Sequence, residues 1–140
     1  MPDSAPPSPA LLDQQAARAL LETTYPQPSA VVIAKDIGHI DRHIRQFIET
    51  APFYCMATAD AAGNQDVTPR GDPPGTFKVL GPRTLALPDR PGNNRLDALR
   101  NLVENPHIGL LFIIPGVEET VRINGTARLS VDPDLLAAMA

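Results

Sequence analysis

The sequence predicts a mixed fold, mostly β with helices (α+β), in which about six strands form a small β-barrel with peripheral helices. Three observations carry that expectation. The apolar period changes from helical to alternating after Pro52. Clusters of glycine, proline and asparagine then punctuate the chain at short intervals, as hairpins require. A single helical pattern interrupts the strands from Leu96 to Val103, and others precede and follow them.

Residues 1–9 contain four prolines and almost nothing to bury, which predicts an extended or disordered arm. Leu11, Leu12, Ala16, Ala19 and Leu20 then recur near helical spacing. Pro26 and Pro28 end that helix, because each proline disfavours helix in the residue before it. Residues 1–28 therefore read as a proline-rich arm with a short helix, and 29–140 as the barrel domain. The strongest helical stripe is Ile37, Ile40, Ile44, Phe47 and Ile48, with Asp36 as the expected cap and Pro52 as the stop.

Strands are expected at Phe53 to Ala59 and Gln65 to Arg70, joined by a turn at Ala62-Gly63-Asn64. A second hairpin, Thr76 to Leu80 and Thr84 to Pro88, flanks Gly81-Pro82. After the polar loop Asp89 to Arg95 comes a helix with Leu96, Leu99, Leu102 and Val103 as its core face. Asn105-Pro106 breaks it, and His107 to Ile114 reads as a buried strand. From Thr120 to Val131 apolar and polar residues alternate without a slip. A two-residue turn at Asn124-Gly125 would pair Ile123 with Thr126 and break that alternation, so one long strand is predicted, with Gly125 marking a bend or a close approach to other backbone. Asp132-Pro133 opens a last helix with a cap and a first-turn proline. That helix reaches Ala140 without a C-cap, so the chain is expected to continue, making this a C-terminally truncated barrel.

Composition narrows the function. The 140 residues carry a net charge of −4, which gives no drive toward nucleic acid or an anionic membrane. No apolar run approaches the roughly 20 residues of a membrane span, and the first residues lack a signal-peptide pattern. Cys55 is the lone cysteine, which excludes an internal disulfide and a multi-cysteine metal site. A soluble, cytoplasmic protein is expected. Ten of the twelve basic residues are arginine, a choice that fits a GC-rich genome and equally the gripping of phosphate or carboxylate.

Two segments carry that second meaning. Thr68 and Arg70 share one face of a strand, so hydroxyl and guanidinium point the same way, and Gly71 leaves room for a ligand against the backbone. The segment reads Arg-Gly-Asp at 70–72, but nothing else in the chain suggests adhesion. Arg90, Asn93, Asn94 and Arg95 precede a helix start, where free N–H groups and the dipole favour an anion. The loop is neither a Walker loop nor a dinucleotide fingerprint. His39 and His43 sit at i, i+4 but away from any further ligand, and read as solvated. His107 opens a strand, Cys55 reads as a buried structural thiol, and no hydrolytic constellation is present.

The run from Thr84 to Ile114, with Leu87-Pro88-Asp89-Arg90-Pro91-Gly92-Asn93-Asn94-Arg95 and Asn105-Pro106-His107, resembles the pyridoxamine 5′-phosphate oxidase-like flavoproteins. Their subfamily of FMN-dependent enzymes shows a similar Thr68 to Asp72 segment and a similar Pro115 to Gly125 strand. The resemblance spans roughly residues 30 to 140. It implies a split β-barrel and a homodimer with FMN at the interface. Arg70 and the loop from Arg90 to Arg95 would hold the phosphate and ribityl chain, Thr68 and Gly71 would lie along the flavin, and Thr120 would approach the ring. The strand-to-helix loop is longer than in pyridoxamine-phosphate oxidase proper, and the C-terminal substrate motif is not present, so that vitamin is not the expected substrate. The implied activity is an FMN-dependent oxidoreduction of a small molecule. A flavin-storing or sensing module, or the same barrel with deazaflavin F420 or haem, is the alternative.

Overall fold

The structure, a computed structural model, describes residues 10–90 and 96–140. They fall into two compact units that divide between Ile37 and Gly38. In the first, α1 (Gln14–Thr24) is capped by Asp13, whose Oδ1 accepts the Ala16 N–H at 2.7 Å, and it ends at Tyr25 as the prolines require. A five-residue helix, α2 (Ala30–Ala34), follows under a Ser29 cap. Sequence periodicity misses α2, because its core is Val31, Val32 and Ile33, β-branched residues that favour strands.

The second unit opens with α3 (Arg42–Thr50). The helix begins later than the isoleucine stripe suggests. Its cap is Asp41, whose Oδ1 accepts the Ile44 N–H at 2.8 Å, rather than Asp36. Asp36 instead closes α2 by donating its N–H to Ile33 O, and the Ile40 N–H is drawn off to Pro82 O at 2.7 Å. Ile40 and Ile44 still pack on the core, beside buried Phe47 and Ile48.

Among the described residues six strands form two antiparallel sheets. β1 (Phe53–Ala59), β2 (Gln65–Gly71), β5 (His107–Ile113) and β6 (Thr120–Thr126) make the larger sheet, in the order β2-β1-β5-β6. β3 (Lys78–Gly81) and β4 (Thr84–Ala86) make the smaller one. Being an edge strand, β2 tolerates Pro69, which has no N–H to donate. β6 runs straight through Asn124-Gly125, pairing these residues with Gly109 and Ile108, as parity predicts. It stops at Thr126 instead of Val131. The cause is its partner: the ladder starts at His107, and only Ala127 N–H reaches one residue further, to Pro106 O at 2.8 Å.

The inner face of the larger sheet carries Tyr54, Met56 and Thr58 of β1 with Leu110 and Phe112 of β5. Phe77, just before β3, joins the two sheets. Its ring stands edge-on to Tyr54 at 4.9 Å and to Phe112 at 5.9 Å, while Tyr54 and Phe112 lie 5.3 Å apart. Such pairs add to the apolar area they bury. Helix α4 (Asp97–Glu104) covers the same face, with Asn101 Nδ2 donating to the buried Thr58 hydroxyl at 3.1 Å. Its core face is Ala98 and Leu102; Leu96 and Val103 point outward, because the hydroxyl of Thr58 selects the turn that carries Asn101. Helix α5 (Pro133–Ala138) starts at the predicted Asp132 cap, whose Oδ1 accepts the N–H of Asp134 and Leu135.

Candidate functional site

The site is built from the end of the β1–β2 hairpin that lies away from its turn. Pairing Tyr54 with Arg70 and Met56 with Thr68 fixes the register. Because side chains alternate across a strand, Thr68 and Arg70 both lie on the inner face, half-buried, and Gly71 falls on the other. Their common direction is the one that sequence parity predicts. Past the strand, Asp72 donates its N–H to Pro52 O at 3.0 Å, so the chain leaves β2 in a set direction.

Here two segments meet through crossed ion pairs. Arg70 Nη1 donates to Asp89 Oδ1 at 2.5 Å, and Arg90 Nε lies 3.4 Å from Asp72 Oδ1. Arg90 Nη2 also donates to the Met139 carbonyl at 2.9 Å. Two guanidiniums and two carboxylates thus share one cluster. Beneath them stands Tyr54. Burial pushes its phenol up to about 12; Arg70 opposes that rise, and Asp72 and Asp89 add to it. Tyr54 therefore stays neutral, as a floor that takes no charge of its own.

The expected residues are not all gathered at one place. Thr68, Arg70, Gly71 and Arg90 belong to this end of the hairpin. Thr120 pairs with Ile113, which lies in one row with Phe53 and Gly71 across the sheet. Three strand spacings separate Thr120 from Gly71, about 14 Å, and Thr120 lies on the face opposite Arg70. Asn93, Asn94 and Arg95 lie outside the described residues. Helix α4 begins at Asp97, with Leu96 at the cap position and no side-chain cap, and Asp97 already places a carboxylate in its first turn.

The remaining candidates are peripheral. His43 Nε2 is 3.3 Å from Glu119 Oε2, and both side chains are well exposed. His107 is exposed, and Cys55 is half-buried on the outer face of the sheet, not in the core, because it alternates with Tyr54 and Met56. Among the described residues no three His, Cys, Asp or Glu side chains gather as a metal site, and no helix is long and apolar enough to cross a membrane. Asp72, Asp89 and Tyr54 are the site residues that sequence reasoning missed. The one available signal was that each candidate arginine has an acid within two positions, Arg70 before Asp72 and Asp89 before Arg90.

A four-stranded antiparallel sheet and a two-stranded one about a shared core, with an arginine-bearing edge strand, define the split-barrel class. The family described as pyridoxamine 5′-phosphate oxidase matches residues 40–140, and this chain belongs to that family. Its fold is similar to that of a substituted, tagged form of HupZ from Group A Streptococcus. The TM-score is 0.52 at 20% identity, over 71% of this chain and 78% of that one. No curated protein matches the chain.

Proposed function

We propose that this chain is an FMN-dependent oxidoreductase that works as a homodimer, with flavin at the junction of two copies and a small-molecule redox substrate. The observation that carries the reading is the paired-arginine cluster at the end of β2. A phosphate monoester presents oxygens that planar guanidinium forks bind two at a time, which suits Arg70 and Arg90. The Arg70 side chain is 22% exposed and that of Arg90 44%, so both remain reachable from solvent. Gly71 adds support: a Cβ there would meet only Pro52 O, at an ordinary 3.6 Å, so the fold itself does not demand glycine. A ligand lying against that backbone supplies a reason for it.

Two observations favour a second copy. Thr120 stands about 14 Å from Gly71 in the same row, and on the face opposite Thr68 and Arg70, so one chain does not bring its expected flavin contacts together. The outer face of the larger sheet is also apolar over β2, β1 and β5, whereas β6 lines it with Arg122 and Asn124. Val67 is 67% exposed, Ala57 is exposed, and Cys55 and Leu111 are half-buried. A second copy on that face would bury these side chains and bring its Thr120 toward the first copy's β2.

When bound, flavin would supply the redox chemistry, hydride exchange with a small molecule. The residues of this chain do the binding and orienting. Arg70 and Arg90 hold the phosphate, Thr68 offers a hydroxyl beside them, and Tyr54 excludes water beneath them. The resemblance assigns Asn93, Asn94 and Arg95 to the same phosphate and ribityl chain. A visible spectrum of the purified protein, with identification of the released cofactor and turnover of reduced nicotinamide, tests the proposal. FMN with turnover agrees with it. FMN without turnover leaves a flavin carrier, and a haem spectrum or a colourless chain that ignores added FMN overturns it.

A further inference from the structure

We infer that Asp89 is a built-in competitor for the anion at Arg70, so that affinity for a phosphate-bearing ligand is set by exchanging one anion for another. The inference rests on the flavin reading above and deepens it. As folded, the cluster of Arg70, Arg90, Asp72 and Asp89 carries no net charge. An anion arriving there meets guanidiniums already engaged and two carboxylates that repel it.

The two carboxylates are not equivalent. The Asp72 side chain is 15% exposed, and its backbone N–H is fixed to Pro52 O. Asp89 is 50% exposed and lies past the end of β4, outside any helix or strand. A half-exposed carboxylate returns to water at little cost, whereas one largely withdrawn from water does not. Asp89 is therefore the anion that yields, and Asp72 is a positioning residue that keeps Arg90 aimed at the site. At the ordinary strength of such a pair, Arg70 is free in roughly one molecule out of two to six. Apparent ligand affinity falls in the same proportion.

The test is an FMN titration followed by flavin fluorescence at constant salt. Asp89→Asn removes the competing charge and should tighten binding roughly two- to sixfold. Asp89→Ser is a second charge-free side chain with the same expected direction, and Asp89→Glu, which keeps a carboxylate, should stay near the parent. Asp66→Asn, at the far end of β2 opposite Thr58, changes net charge equally and should alter affinity less than about twofold. Thermal unfolding of each variant checks that the fold persists. FMN binding by the parent with equal or weaker affinity in both charge-free variants overturns the inference and leaves the flavin reading standing. No FMN binding by the parent or by any variant overturns the flavin reading itself.

Discussion

The two ends of the β1–β2 hairpin use charge in opposite ways. At the turn, the Asp60 carboxylate accepts from Ala62 N–H, Asn64 N–H and Asn64 Nδ2, each at 2.9 Å. Its partners lie within four residues of it, and they are what shape the turn. The Asn64 side chain, then the Asn64, Ala62 and Gly63 backbone, hold the carboxyl below its usual range. At the other end, Arg70 finds its acid nineteen residues away, in a segment that belongs to neither helix nor strand. A charge satisfied by its own turn is committed to the fold. A charge paired with a half-exposed side chain from elsewhere is the kind that the inferred exchange would hand to a ligand.

That contrast is sharpened first at Tyr54, under the ligand end. Its folded value of about 12 exceeds the ordinary value of 10.0, so burial favours the neutral phenol. The resulting stability is complete below pH 10 and is lost as pH rises toward 12, by about 2–3 kcal/mol. Denaturant unfolding across this window should show the loss in the parent and not in Tyr54→Phe. Next, Arg70→Ala should weaken FMN binding by about 1.5–3 kcal/mol while leaving the melting temperature nearly unchanged. Arg70→Lys should recover only part of the affinity, lacking the planar fork. At the turn the pattern reverses. Gly63 has φ of +87°, so Gly63→Ala should lower stability by about 1 kcal/mol and leave FMN affinity alone. The smallest effect belongs to Asp60→Asn. The lowered Asp60 value contributes stability above the usual carboxylate range that is lost as pH falls through the folded value, and acid titration of the variant should show a flatter limb.

Much of the fold was legible because it rests on local periodicity. Alternation placed Thr68 with Arg70 and carried β6 through Asn124-Gly125; the Asp132-Pro133 start and the Tyr25-Pro26 stop needed only neighbouring residues. What escaped depended on partners distant in sequence. The start of α3 is set by Ile40 N–H binding Pro82 O, the face of α4 by Asn101 reaching Thr58, and the end of β6 by where β5 begins. The candidate site shows the same division. Both described arginines were singled out as candidate phosphate ligands by type and position, whereas their pairing with Asp89 and Asp72 joins segments that only the folded chain brings together.

The most direct test of the account is sedimentation of the FMN-loaded protein, followed in the visible flavin band over a dilution series. A site assembled from two copies predicts that flavin absorbance travels with a two-copy species, and that dilution which separates the copies leaves free FMN behind. Flavin absorbance that sediments with a single copy would contradict it.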